Sequence, residues 1–370
     1  MNLPKYIYSL VLFPILFGCS EKKPTSSSLL VEGNWHLELQ ISERNYLPVD
    51  FILNKTDSIF TFDIINAEEV ITITDVTIEN KNITIKDPVF NSWFEGRIIS
   101  PTKISGFWYK ENEEYKIPFT AEQGIRNRFP EPKKPSTHIA NIAGKWEVDF
   151  SQGTDDHYKA IGVFEQVDNF VTGTFITETG DYRYLDGNIY NNNLYLSTFD
   201  GTHAFLFKGA FINGALEGNF WSGTHWEEPW VAVKNDKYEL TNPDSLTFLN
   251  EGYDGLSFTF PSVNGDSISL SDEKYNDKVV IVNIMGPWCP NCKDETAYLN
   301  SLYSKFNNDG LEIIALSFDK TSDFETSKTS LSKVIDFYNA KYDFLIAGKA
   351  NKIEAAKALP MLCLTRPLFL

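Results

Sequence analysis

Apolar and polar residues alternate with a period of two along much of the first two thirds of the chain. Trp35, Leu37, Leu39 and Ile41 alternate with His36, Glu38 and Gln40; Trp146, Val148 and Phe150 alternate with Lys145, Glu147 and Asp149. That period puts successive side chains on opposite faces of a strand, so each run predicts a strand with one buried face. Turn clusters such as Glu178-Thr179-Gly180-Asp181 and Asn191-Asn192-Asn193 punctuate the runs at hairpin spacing.

The pattern occurs twice. Gly33-Asn34-Trp35 and Gly144-Lys145-Trp146 stand 111 residues apart, as do Asn82-Ile83-Thr84-Ile85 and Asn193-Leu194-Tyr195-Leu196. Phe94-Glu95-Gly96 and Phe207-Lys208-Gly209 are offset by 113, and so are Phe107-Trp108 and Phe220-Trp221. Four matches in order, slipping once by two, predict a tandem duplication with one small insertion. We expect two antiparallel β units, residues 31–128 and 140–236, each a small barrel or sandwich. The Pro-rich stretch from Phe129 to Pro135 opens the linker 129–139 between them. In the second unit, Asp200-Gly201-Thr202-His203 and His225-Trp226-Glu227-Glu228-Pro229-Trp230 read as turn residues with core aromatics, a ligand surface being the alternative.

After a second linker, 237–254, the pattern changes. Leu256–Phe260 reads as a short strand and Lys278–Ile284 as a continuous apolar run, the signature of a fully buried strand. Cys292–Phe306 carries Leu299, Leu302, Tyr303 and Phe306 on one helical stripe. Leu311–Phe318 is a second buried strand and Thr329–Tyr338 a helix. Strand and helix in alternation predict a parallel sheet with covering helices over 255–370. The fold class expected is therefore multidomain: two tandem antiparallel β units followed by an α/β domain.

The N-terminus reads as a targeting segment. Lys5 precedes an apolar stretch from Ile7 to Phe17, too short for a usual membrane span, which ends at Leu16-Phe17-Gly18-Cys19. This resembles a bacterial lipoprotein signal: cleavage after residue 18 and lipidation of Cys19 are expected, with a plain secretory signal as the alternative. Residues 19–30 are a polar tether. Lipidation would anchor the chain to an envelope membrane, facing the periplasm.

Composition narrows the partners. The 370 residues carry 50 acidic against 33 basic side chains, a net charge of −17, which excludes a phosphate-binding surface and so nucleic acid. The only cysteines are Cys19, Cys289, Cys292 and Cys363. None lies between Cys19 and Cys289, so the β units have no disulfide framework.

Cys289-Pro290-Asn291-Cys292 sits where the first buried strand gives way to a helix. A thiol at a helix N-terminus meets free N–H groups and the positive end of the macrodipole, which favour the thiolate, the nucleophile of disulfide exchange. Cys289 would attack and Cys292, one turn on, would resolve. Pro290 suits the first turn, where its missing N–H is not needed. A structural zinc site needs four ligands, yet there is no second Cys-x-x-Cys and all five His precede residue 226. Val282 to Trp288 lacks a peroxiredoxin-type Pro-x-x-x-Thr/Ser-x-x-Cys pattern.

The segment from Val280 to Glu295, with Gly286-Pro287-Trp288 before the cysteines and Lys293-Asp294-Glu295 after them, resembles the active-site segment of the TlpA/ResA family of thioredoxin-like thiol–disulfide oxidoreductases. Phe260-Pro261-Ser262-Val263-Asn264-Gly265-Asp266-Ser267-Ile268-Ser269-Leu270 is similar to that family's entry hairpin. The resemblance, over about 255–362, implies an anchored extracytoplasmic enzyme without a cofactor. It implies reduction of disulfides in extracytoplasmic partner proteins and electrons from a membrane thiol donor. It places Glu295 where the family tunes cysteine protonation, a first-turn helix carboxylate being the plain reading, and it makes Trp288 and Pro290 supporting residues.

Past Leu362 the resemblance stops. The family continues through an aromatic-Pro-Thr-Thr segment, a hairpin strand and a final helix, whereas this sequence reads Cys363-Leu364-Thr365-Arg366-Pro367-Leu368-Phe369-Leu370. One codon choice for Cys363–Phe369 reads Pro-Tyr-Pro-Thr-Thr-Ile-Phe when shifted by two nucleotides, compatible with a frameshifted tail. On that reading the α/β fold is incomplete, Cys363 is a stray thiol, and the redox domain is destabilised or inactive. The alternative function is then a binding lipoprotein whose β units carry the activity.

Overall fold

The computed structural model describes residues 29–57, 59–134 and 139–364. The lipidation candidate Cys19, its signal segment and the tail beyond Leu364 lie outside the described residues. The first unit runs through β1 (Gly33–Gln40), β2 (Tyr46–Thr56), β3 (Ile59–Asn66), β4 (Glu69–Ile73), β5 (Asp75–Glu79), β6 (Asn82–Lys86), β7 (Ser92–Ser100), β8 (Lys103–Lys110) and β9 (Asn112–Gln123). The second runs through β10 (Gly144–Phe150), β11 (Tyr158–Val167), β12 (Phe170–Thr177), β13 (Gly180–Asp181), β14 (Leu185–Tyr190), β15 (Asn193–Phe199), β16 (Ala204–Ile212), β17 (Ala215–Ser222) and β18 (Trp226–Lys234).

Both sheets are antiparallel meanders whose first strand returns to pair with the last, β1 with β9 and β10 with β18. Of barrel and sandwich, the pairing is that of barrels. The second closes fully, because β12 pairs with both β11 and β14. The first stays open between β4 and β5, which Thr74 alone connects. Trp35 and Trp146 occupy equivalent places. Each is buried, and each donates its indole N–H to the carbonyl four residues earlier, Val31 at 2.9 Å and Ile142 at 2.8 Å. The buried indole dipole is thereby satisfied.

The duplication holds strand by strand, with one correction to the offset. Phe94 faces Trp108 across β7–β8, as Phe207 faces Phe220 across β16–β17; Gly96 faces Gly106 as Gly209 faces Gly218. On β8 and β17 the true offset is therefore 112, not 113. Matching Phe107 to Phe220 pairs an exposed side chain with a buried one, since Phe107 is 39% exposed and Phe220 is 3%. A slip of one residue flips every side chain to the other face. The Phe-Trp dipeptides coincide by composition only.

The two barrels dock on each other. Phe199, Ala204 and Leu206 of the second pack into the core of the first. Buried Arg128 bridges the units: Nε donates to Ser197 Oγ at 2.8 Å and lies 2.7 Å from Asp186, while Nη1 donates to the Ile65 carbonyl at 3.0 Å.

The C-terminal region adds β19 (Thr247–Leu249), β20 (Thr259–Pro261), β21 (Ser267–Ser269), β22 (Val279–Met285), α1 (Pro290–Phe306), β23 (Leu311–Asp319), α2 (Phe324–Tyr338), β24 (Asp343–Lys349), α3 (Lys352–Ala358) and β25 (Leu362–Leu364). β22, β23 and β24 form a parallel sheet with β23 central. The expected strand at Leu256–Phe260 is shorter and later, pairing only through Thr259–Pro261. β24 and α3 were not anticipated from sequence; the apolar run Phe344–Ala347 is short and merges into Gly348. β25 pairs with β19, and Cys363, opposite Phe248, is a free, half-buried thiol. Among the described residues no helix is long and apolar enough to cross a membrane, which says nothing of strands.

Candidate functional site

β22 delivers the chain to the site and α1 receives it. Between them Gly286 turns beneath Trp288: a Cβ added there would lie 2.5 Å from the indole nitrogen and 2.9 Å from the Phe318 carbonyl. Only glycine leaves room for the Trp288 N–H to reach Phe318 O at 3.1 Å. That bond ties the residue before the cysteines to the end of β23.

Cys289 is the N-cap of α1, with φ −100° and ψ 114°, and Pro290 fills the first helical position. The Cys289 sulfur accepts the Cys292 N–H at 3.2 Å, so it takes one of the helix's unpaired amides in place of a Ser or Asp cap. The helix begins two residues earlier than the apolar stripe implied, because the stripe says nothing of the cap. Cys289 and Cys292 are joined as a disulfide with Cα atoms 5.3 Å apart. Cys289 is half-buried and Pro290 is buried. Glu295 lies on the helix's exposed side, and desolvation raises its carboxyl pKa. The Tyr342 hydroxyl feels its charge.

Residues from both barrels reach the start of α1, and no pattern in the sequence marks them. Arg183, in the loop after β13, has a guanidinium only 4% exposed. It donates from Nη1 to Asn291 Oδ1 at 3.1 Å and to Asp294, and from Nη2 to Glu69 of the first barrel at 2.6 Å; its Nε lies 3.6 Å from Asp200. Burial opposes its charge, but Asp200, Asp294 and Glu69 together hold its pKa above the ordinary value. Burial likewise opposes ionisation of Asp200, yet His203 and Arg183 hold its carboxyl well below the usual range. For Glu69 burial wins over Arg183 and its pKa rises. Asp181 accepts the Asn291 side-chain N–H through its backbone carbonyl at 3.4 Å.

The first barrel closes the other sides. Val89 and Phe90 join the α/β core cluster of Met285 and Leu299, the cluster that half-buried Cys292 also packs against. Lys293 lies over the Phe90 ring at 5.4 Å. Lys320 sits over the Trp288 ring at 5.6 Å and pairs with Glu111 from the β8–β9 turn. Asp200-Gly201-Thr202-His203 is a tight turn: the Asp200 carboxylate accepts the Thr202 and His203 N–H groups at 3.0 and 2.7 Å. Ser92 donates to the Gly201 carbonyl, so this turn is also part of the docking. In the second patch Trp230 is core and Glu228 is buried, accepting Ser151 at 2.6 Å and Tyr158 at 2.7 Å. Asn291 could have been named from the motif; Arg183 could not, since its partners Glu69 and Asp294 lie 114 and 111 residues away. Among the described residues no cluster of three or more His, Cys, Asp and Glu is arranged to hold a metal ion.

With this geometry in place, similarity to known proteins falls on the same region. Residues 252–361 match the AhpC/TSA family. Thiol-disulfide oxidoreductase ResA of Bacillus anthracis is 40% identical over 102 residues, covering 28% of this chain and 54% of that protein. ResA of Bacillus subtilis is 28% identical over 113 residues, covering 30% and 59%. The thioredoxin domain of a thiol-disulfide oxidoreductase from Bacteroides vulgatus is 24% identical with a TM-score of 0.23, covering 28% of this chain and 67% of that one. The chain spans less than two thirds of the length of these ResA relatives.

Proposed function

We propose, from the premise that residues 252–361 are a thioredoxin-like domain of the TlpA/ResA-like family, that the chain is a thiol–disulfide oxidoreductase reducing disulfides of extracytoplasmic partner proteins. The observation that carries this reading is Cys289 as the cap of α1, its sulfur on the Cys292 N–H within a cysteine pair already close enough to bond. In the reduced state the same amides and the helix dipole stabilise the Cys289 thiolate. That thiolate attacks one sulfur of a substrate disulfide, forming a mixed disulfide and releasing one substrate thiolate. Cys292 then attacks the Cys289 sulfur, closing the internal disulfide and releasing the second thiolate. Two electrons pass to the substrate, and a membrane thiol donor restores the dithiol. Trp288 and Pro290 fix the cap, and Glu295, its carboxyl pKa raised by desolvation, tunes cysteine protonation.

The chain acts at an envelope membrane, anchored through Cys19 and facing the periplasm. The support for this is the lipoprotein-like segment ending at Cys19. The test of the redox reading is reduction of insulin disulfides by the full chain in excess dithiothreitol. Wild type is expected to exceed Cys289→Ser by at least about 100-fold, since the variant lacks the nucleophile. Equal rates would refute the assignment and favour the alternative in which the β units alone bind a partner.

A further inference from the structure

Both barrels touch residues that flank the redox pair and take no part in the chemistry. The loop Gly180–Arg183 of the second barrel lies on Asn291, the residue between the cysteines. A Cβ added at Gly180, where φ is +152°, would fall 2.6 Å from Asn291 Nδ2. Asp181 and Arg183 take both ends of the Asn291 amide. Val89 and Phe90 of the first barrel belong to the apolar cluster that Cys292 packs against, Lys293 lies over Phe90, and Glu111 pairs with Lys320 over Trp288. Pro290, between the cysteines, is itself buried. The guanidinium of Arg183 joins all three domains, through Glu69, Asp200 and Asp294.

We propose that the two β barrels are a substrate filter for the Cys289–Cys292 pair and that Arg183 is the positioning residue latching it shut around Asn291. This rests on the redox reading above. A small disulfide passes the gap that leaves Cys289 half-exposed. A folded protein disulfide needs the barrels to tilt away, or a shape that fits between them. Arg183 is suited to the role because its planar fork serves several acceptors at once, while three surrounding carboxylates fix its charge. Removing it leaves Glu69 and Asp200, both shielded from water, and half-exposed Asp294 beside them without this counter-ion, which drives the domains apart.

The test compares two substrates on the full chain with dithiothreitol as reductant: insulin as the bulky disulfide and bis(2-hydroxyethyl) disulfide as the small one. Arg183→Ala is expected to raise the insulin rate at least fivefold while the small-disulfide rate stays within twofold. A residue serving only stability would move both rates together. If Arg183→Ala fails to fold, Asp294→Ala cuts the α1 side of the latch at a half-exposed carboxylate and is expected to shift the same ratio in the same direction. An unchanged ratio in the folded variant overturns the filter and leaves the redox reading standing. A wild type that turns over neither disulfide overturns both.

Discussion

The two barrels share one strand plan, yet they differ at one edge, and that difference explains their unequal roles. In the first, β4 pairs with β3 along five residues and occupies its free side, so β5 cannot join and the sheet stays open. In the second, the equivalent strand has shrunk to Gly180–Asp181. The rest of β12 is thereby free to pair with β14 through Phe170–Gly173, which closes the ring. The same shortening releases Tyr182-Arg183-Tyr184 from the sheet. Arg183, at φ +63°, turns out of the barrel toward α1. One edit to a duplicated unit both completes a barrel and frees a loop. The other copy keeps the complementary part, because Glu69, at the start of β4, is the carboxylate that Arg183 meets.

Both interiors mix aliphatic and aromatic side chains: the first sets Leu37, Leu39, Ile64 and Ile104 beside Trp35, Phe51 and Phe94, and the second holds Phe150, Phe175, Phe207 and Phe220 in stacked and edge-on contacts among Leu194, Leu196 and Leu216. The sharpest break of the strand-by-strand equivalence comes at β8 and β17. Trp108→Ala and Phe220→Ala are each expected to cost about 3–5 kcal/mol, the range for deleting a buried aromatic. Phe107→Ala is expected to cost no more than about 1 kcal/mol, as for a surface side chain. Denaturant midpoints would check this. Equal costs for Phe107→Ala and Phe220→Ala would restore the 113-residue offset.

A smaller effect sharpens the shared plan. Gly106 and Gly218 face Gly96 and Gly209, and a Cβ at either would lie 2.0 Å from Glu95 O or 1.9 Å from Lys208 O. Gly106→Ala and Gly218→Ala should therefore destabilise by similar amounts, about 1–3 kcal/mol for forced overpacking. Calorimetry of the two variants would show it, and a large cost in one barrel alone would mean that the crossings are not equivalent.

The smallest expected difference is in pH response. His36 on β1 is buried beside Asp50 at 2.7 Å; burial opposes its charge, but bonds to Asp50 and Glu38 outweigh it and raise the pKa. A raised histidine contributes stability fully present below its unfolded pKa of about 6.5 and lost as pH rises through the higher folded value. The equivalent position in the second barrel is Glu147, whose pKa is lowered first by Lys159. That contribution is present above its unfolded value of 4.5 and flat near neutrality. Wild type should lose stability from pH 6.5 upward by a step that His36→Gln removes. A step that survives His36→Gln would assign it elsewhere.

Much of this was legible in the chain. The duplication showed because both copies keep Gly-x-Trp and the period of two. The cysteine pair showed because its chemistry needs adjacent residues on one turn. The closure of the second barrel did not show, since a two-residue strand such as β13 has no period to detect. Arg183 did not show because its role comes from carboxylates far apart in sequence, brought together only by docking of three domains. The exposed-looking turn Asp200–His203 was read correctly as a turn, but its carboxylate's burial against Arg183 belongs to tertiary structure.

In the proposed cycle Cys289 attacks and Cys292 resolves. The most direct test is trapping: the Cys292→Ser full chain, reduced, desalted and mixed with insulin, cannot complete the second exchange. We expect a mixed disulfide between Cys289 and an insulin chain to accumulate, dissolved by dithiothreitol and absent from Cys289→Ser. No adduct with Cys292→Ser, or an equal adduct with Cys289→Ser, would contradict the assignment.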